Sequence, residues 1–186
     1  MNLSALKSPP FRSYVVSLHL ALNGFWAQRV IIGWLAWEMT GSAGFVGLVA
    51  FLNFFPTLFV SPLFGVFADR IDVRKGSNHS YALAGILSAL FAGLCIFGSP
   101  TPVLLALFSF VTGVISSANH PMRMSLTPRL APAGDLPSVV AITSLNFNMS
   151  RLTGPAIGGI LIQTIGAPLA FAATAVTYAA PVTAIY

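Results

Sequence analysis

The chain has 186 residues, 56% of them hydrophobic and 7% charged, with 9 Lys and Arg against 4 Asp and Glu for a formal net charge of +5. So little charge excludes an ordinary soluble domain and makes lipid the expected solvent. The basic excess sits in short stretches between apolar runs, which answers to membrane topology and excludes a polynucleotide-binding surface.

A bilayer core of about 30 Å takes roughly 20 apolar residues in a helix, and an open sheet edge cannot be satisfied in hydrocarbon. Six runs meet that length, near 14–37, 45–68, 79–98, 103–120, 139–162 and 169–186. The expected fold is an all-α membrane protein, a single unit over 1–186 with short connections and no soluble domain. The first run is too long and too polar for a secretory signal and lacks a cleavage site after it, so it is expected to stay as an anchor.

That first run carries His19 and Asn23 four residues apart, with Gln28 and Arg29 on other sectors of the same helix, so it needs protein or cavity on several sides. Its Trp26, Trp34 and Trp37 are read as packing or interfacial anchors. TGSAG at 40–44 closes it, and the second run leads into GVFADRIDVRK at 65–75. There Gly65 permits close helix approach, while Asp69, Arg70, Arg74 and Lys75 form a charged cluster at the membrane edge.

The third run holds Ser88 and Cys95, the chain's one cysteine, which rules out an internal disulfide. GSPTP at 98–102 leads to the fourth run, which ends near His120 and MRMSLTPRL at 122–130. In the fifth, Ser144, Asn148, Arg151, Pro155 and Gly158 recur at steps of four and three and share one helical face. Gly154 and Gly158 give a GxxxG spacing for backbone contact, and Pro155 invites a bend. GAP at 166–168 precedes the sixth run, whose polar groups are the mild Thr174, Thr177 and Tyr178, so the third and sixth runs read as peripheral. The histidines His19, His79 and His120 lack metal-ligand spacing, and neither a metal nor a cofactor is expected.

Lys7 and Arg12 precede the first run, Arg70, Arg74 and Lys75 follow the second, and Arg123 and Arg129 follow the fourth, whereas the intervening connections contain no Lys or Arg. This alternation places both termini in the cytoplasm. Arg29 and Arg151 then fall at about 12 Å and about 16 Å from the outer helix ends, counting 1.5 Å per residue. An ionised group at such depth marks a protein-lined cavity or a partner, and no carboxylate in the runs matches it. An anionic substrate, acidic residues of another lobe, or carbonyls freed near Pro56 and Pro155 are the open sources of compensation. A structural tie to helix carbonyls is the competing role for both arginines.

The three strings GVFADRIDVRK, MRMSLTPRL and NFNMSRLTGPAIGG, with WAQRVIIGWLAWEMTGSAGFVGLV at 26–49, resemble the amino-terminal half of a major facilitator superfamily transporter, in its bacterial drug-type and enterobactin-exporter-like branch. That resemblance implies a half of six helices built as 3+3 inverted repeats, with the substrate near the midplane between this half and a carboxy-terminal half absent from the chain. It implies a conformational latch at Gly65, Asp69, Arg70 and Arg74, with Asp72 in place of the signature's second Gly. A packing motif at Gly154, Pro155, Gly158 and Gly159, and a cavity drawn chiefly from the first, second, fourth and fifth helices, follow from the same likeness. Ser109 stands where many proton antiporters of the superfamily carry an Arg, so antiport with protons is implied by the family alone.

The expected function is secondary active export of a small amphiphilic or anionic compound by alternating access, with Asn23, Arg29, Asn148 and Arg151 as substrate-cavity candidates. The expected partners are the lipid bilayer of the cell (inner) membrane, a small-molecule substrate, and a carboxy-terminal half or second chain. A six-helix channel, a homodimeric carrier and a truncated half without activity of its own are the alternatives. A catalytic role is not expected, because no buried nucleophile sits near a base within a run.

Overall fold

The computed structural model describes residues 4–68, 72–131 and 134–184, the side chains of 66–68 excepted. Among the described residues every regular element is helical, in the order α1 (Pro9–Thr40), α2 (Ala43–Phe54), α3 (Pro56–Ala68), α4 (Val73–Phe97), α5 (Pro102–Leu126), α6 (Leu136–Thr177) and α7 (Ala179–Ala184), with short 3-10 turns at Ser4–Lys7 and Thr127–Leu130. With no water in hydrocarbon to take up stray backbone groups, helices that bond internally are the outcome the composition demands.

The ends follow from local chemistry. Pro9 and Pro10 open α1, where a missing N–H costs no intrahelical bond, and Gly41 stops it in a left-handed conformation (φ 60°) with its N–H on the Trp37 carbonyl. Ser42 and Thr101 accept the N–H groups of Phe45 and Leu104 and so start α2 and α5. Asp72 caps α4, its carboxylate accepting from the N–H groups of Arg74 and Lys75 at 3.0 and 3.4 Å. Asp72 therefore has a local role: it starts a helix.

Five stretches are long and apolar enough to cross a membrane: Pro9–Thr40, Ala43–Gly65, Val73–Phe97, Pro102–Leu130 and Leu136–Ala184. The last, at 49 residues, would reach about 74 Å if straight, more than twice a bilayer core. It is not straight. Gly166 breaks the helix at φ 79°, ψ 159°, inside the GAP connection. On one side of the break Gly154 rests on the Asn23 carbonyl of α1, and on the other Thr177 meets Gly24. Residues before and after Gly166 thus touch α1 at the same level, so the chain doubles back there.

Two buried apolar clusters flank the middle of α1. One gathers Phe11, Tyr14, Leu18 and Leu22 with Tyr81, Leu126 and Ile142. The other gathers Ile31, Leu35 and Val49 with Leu105 and the rings of Phe91, Phe108 and Phe171, whose centroids lie 4.5 to 5.3 Å apart. The polar residues Asn23, Gln28 and Arg29 fall between the two clusters along α1. Around the outside, Leu58, Leu90, Leu152 and Val176 are each more than 60% exposed, as expected of side chains that meet acyl chains. Packing and polar contacts, not exclusion of water, must then hold the helices to one another.

Candidate substrate cavity

Arg29 lies a little more than one turn past the midpoint of α1 and is half-buried. Its Nη2 donates to Asn53 Oδ1 at 2.7 Å. The guanidinium carbon stands 3.8 Å from the ring centre of Phe54, 4.7 Å from that of Phe25 and 5.0 Å from that of Trp26. A cation held against three ring faces and one amide oxygen is stabilised without a carboxylate, each desolvated ring contact contributing on the order of 1–2 kcal/mol. Neither helix carbonyls nor an acidic side chain supplies these contacts. Asn53 is the residue that the sequence reading missed.

Asn53 is itself fixed. Its Nδ2 donates to the Ser109 carbonyl and to Thr112 Oγ1, both at 3.1 Å, which leaves its oxygen turned to Arg29. The approach is close because α5 has Gly113 there: an added Cβ would lie 2.4–3.1 Å from Asn53 backbone atoms, too near for any side chain. Arg29 is thereby held by α2, which is held by α5.

Beside Arg29 opens a half-open cavity of about 310 Å³, at the lower end of the size range of small-molecule sites. Arg29 and Asn53 line it at one level, Arg123 and Tyr81 further along, and Phe25, Trp26, Phe54 and Phe147 supply ring faces. From Thr112, at the level of Asn53, to Arg123 is about 16 Å along α5. Among the described residues the cavity lining contains two arginines and His120 but no Asp or Glu. Three groups that can only donate, Arg29 Nε, Trp26 Nε1 and Asn119 Nδ2, are buried there without a hydrogen-bond partner.

The third and sixth runs are less peripheral than their composition implied. Ser80, Tyr81 and Ala84 of α4 and Tyr178 line the same cavity. Gln28 joins these elements, donating to Ser88 Oγ at 2.9 Å and accepting from the Tyr178 hydroxyl at 3.0 Å. In a protein with so few strong polar groups, Ser88 and Tyr178 matter because α1 presents a buried amide between them.

Asn23 lies elsewhere, in the seam between α1 and α6. Its Oδ1 accepts from Thr153 Oγ1 at 2.6 Å, and its Nδ2 donates to the His19 carbonyl and to Ser150 Oγ at 2.9 and 3.3 Å. His19 Nδ1 is 2.6 Å from Asn146 Oδ1, and Asn146 Nδ2 donates to the Val15 carbonyl at 3.1 Å. Gly154 and Gly158 complete the seam: a Cβ on Gly158 would lie 2.8 Å from the Ala27 carbonyl oxygen. Gly159 meets nothing within 4 Å, and Pro155 is half-buried.

Ser144, Asn148 and Arg151 are exposed on the far side of α6. The Asn148 amide turns back to the Ser144 carbonyl at 2.8 Å, and the Arg151 guanidinium carbon is 5.7 Å from the Trp26 ring centre. Trp26 therefore contacts both arginines, Arg29 as well as Arg151. Of the four cavity candidates, Arg29 lines the cavity described above, Asn23 ties helices together, and Asn148 and Arg151 face outward.

Near the end of α3, Gly65 has no heavy atom within 4 Å of where its Cβ would be, and Arg74 in the first turn of α4 is exposed. Asp69 and Arg70 lie outside the described residues.

Comparison with known proteins gives these features a context. The sequence model of the family described as transmembrane secretion effector matches residues 1–186. The chain is 24% identical over 163 residues to the staphyloferrin A transporter of Staphylococcus aureus, which covers 87% of the chain and 41% of that protein. It is 27% identical over 187 residues to the multidrug efflux pump Tap of Mycobacterium tuberculosis, covering 96% of the chain and 44% of the pump. With the enterobactin exporter EntS of Escherichia coli it shares 31% over 183 residues, 89% of the chain and 40% of the exporter. The chain thus spans roughly two fifths of the length of these relatives. No solved structure matches it significantly.

Proposed function

The chain belongs to the transmembrane secretion effector family of the major facilitator superfamily, whose members matched here are transporters and not enzymes, and from that membership we propose that it forms the amino-terminal lobe of an efflux carrier. The carrier exports a small amphiphilic or anionic compound by alternating access, and a carboxy-terminal lobe, from the same gene or another chain, completes it. The reversal at Gly166 supports six crossings, grouped as 3+3, and the alternation of Lys and Arg between connections supports cytoplasmic termini in the inner membrane.

The observation that carries this reading is the 310 Å³ cavity with the caged Arg29 at membrane depth. A guanidinium so placed is costly in a helix that only packs, and useful where a polar compound must enter. Arg151 and Asn148 support the missing lobe, because an exposed cation and amide on α6 cannot face acyl chains and call for protein or water over that surface. In this arrangement α6 meets the second lobe across Arg151, and the loop with Gly65, Asp69, Arg70 and Arg74 latches the two lobes when the cytoplasmic side closes.

The test is flux. Co-expressed with a carboxy-terminal lobe and reconstituted in proteoliposomes, the chain is expected to move an amphiphilic fluorescent dye, and Arg29→Ala to slow it about tenfold or more. Asp69→Asn is expected to slow flux with normal insertion. Absence of flux from the assembled pair would overturn the reading, and equal flux from the chain alone would replace it with a homodimer or channel.

A further inference from the structure

Three buried groups along one cavity have hydrogens to give and nothing to give them to. Arg29 Nε, Trp26 Nε1 and Asn119 Nδ2 are donors only, and each lacks a partner. Asn119 is 8% exposed, so it cannot turn to the surface for relief. Leaving a buried donor unmade costs about 1–3 kcal/mol, and more when the group is charged. Arg29 Nε and Trp26 Nε1 belong to groups in mutual contact, and Asn119 lies about 10 Å from Thr112 along α5; along a lining with two arginines and, among the described residues, no carboxylate, these donors outnumber the unmet Tyr81 hydroxyl.

The amide oxygen beside Arg29 and the hydroxyls near it are already engaged. Asn53 Oδ1 is taken by Arg29, Thr112 Oγ1 accepts from Asn53, and the Ser117 hydroxyl donates to the Gly113 carbonyl and pairs with Thr57. The walls between the polar points are ring faces, those of Phe25, Trp26, Phe54 and Phe147. Recognition there favours a flat apolar body, with acceptor oxygens directed at Arg29, Trp26 and Asn119.

We propose that this cavity, inside a single lobe, binds a flat organic anion whose carboxylate is taken by Arg29 Nε and Trp26 Nε1, with Asn119 Nδ2 left to meet an acceptor further along the molecule. Arg123, about 16 Å from Thr112 and about 6 Å beyond Asn119 along α5, adds positive potential at the far end and admits a second acidic group on a longer molecule. A cation of the same shape is repelled by two arginines, with no carboxylate among the described lining residues to offset them. The inference rests on the reading of this cavity as part of the export path, and it narrows that path's cargo from amphiphilic compounds in general to anionic ones.

Because the cavity lies within the chain, binding needs no second lobe. The chain in nanodiscs is titrated calorimetrically with naphthoate, with naphthylmethanol and with naphthylmethylamine, and protein-free nanodiscs serve as the blank. Naphthoate is expected to bind with one site per chain, the alcohol about tenfold more weakly, and the amine not at all. Arg29→Gln is expected to remove the preference for naphthoate, and Arg129→Gln, an exposed loop charge, to leave it intact, which separates the site from general attraction to a basic protein. Equal binding of the three probes by the unmodified chain would overturn the proposal, and this result does not depend on any variant folding. So would an unchanged preference in Arg29→Gln of normal helicity. Flux of dye through the assembled carrier without such a preference would sink the anionic class and leave the transport reading standing.

Discussion

Arg29 shows how a cation is accommodated at membrane depth without an ion pair. Three ring faces within 5.0 Å and one amide oxygen surround it, and that oxygen belongs to Asn53, which is held in turn by α5. Loss of the Asn53 side chain removes three hydrogen bonds at once. Interhelical hydrogen bonds in membranes average about 0.6 kcal/mol, so Asn53→Ala is expected to cost about 2 kcal/mol. Unfolding by titration with a denaturing detergent checks this, and a loss below about 0.5 kcal/mol would mean that the ring faces alone hold Arg29.

Sequence made Arg29 conspicuous but not its surroundings. Its charge in an apolar run was legible, whereas Asn53 lies in another run and shares no periodicity with it. The rings of Phe25, Trp26 and Phe54 were indistinguishable, as letters, from those of the many phenylalanines that pack. Depth counting placed Arg151 near the level of Arg29, and the two guanidinium carbons lie 5.0 and 5.7 Å from the same Trp26 ring centre.

At the scale of elements, α6 carries two polar stripes. One runs through Ser144, Asn148 and Arg151 and is exposed, and the other through Asn146, Ser150 and Gly154 and is buried on α1. Both have helical spacing, so the pattern alone could not say which faces protein. The seam stands on Gly154 and Gly158, where a Cβ on Gly158 would come within 2.8 Å of the Ala27 carbonyl. Gly158→Val must push α6 away from α1 and is expected to cost about 1–3 kcal/mol, as overpacking does. Gly159→Ala, with nothing within 4 Å, is expected to change the same detergent unfolding by less than about 0.5 kcal/mol. Equal effects would show that the two glycines are not distinguished by α1.

The breaks between elements were easier to read than their partners. TGSAG, GSPTP and GAP all coincide with ends or reversals of helix, because a left-handed glycine, a capping hydroxyl and a proline are written in the local sequence. Contacts between helices are not local. Tyr178 reaches Gln28 across 150 residues, and nothing near either residue announces it.

For the whole molecule, the account needs alternate connections to lie on opposite sides of the bilayer, since this is what puts Arg29 and Arg151 at mid-membrane and the polar face of α6 against a second lobe. The exposed positions Gly41, Ser99, Gly134 and Thr183 and the half-buried Gly76 mark successive ends of the helices. The reversal at Gly166 returns the last segment along α1.

The most direct measurement is labelling of single cysteines in intact cells by a membrane-impermeant maleimide, in a chain whose Cys95 is replaced by Ser. Gly41→Cys and Ser99→Cys are expected to react from outside, and Gly76→Cys, Gly134→Cys and Thr183→Cys only after permeabilisation. Reaction of Gly76→Cys and Ser99→Cys from the same side, or of Thr183→Cys from outside, would contradict six crossings and, with them, the lobe of a carrier.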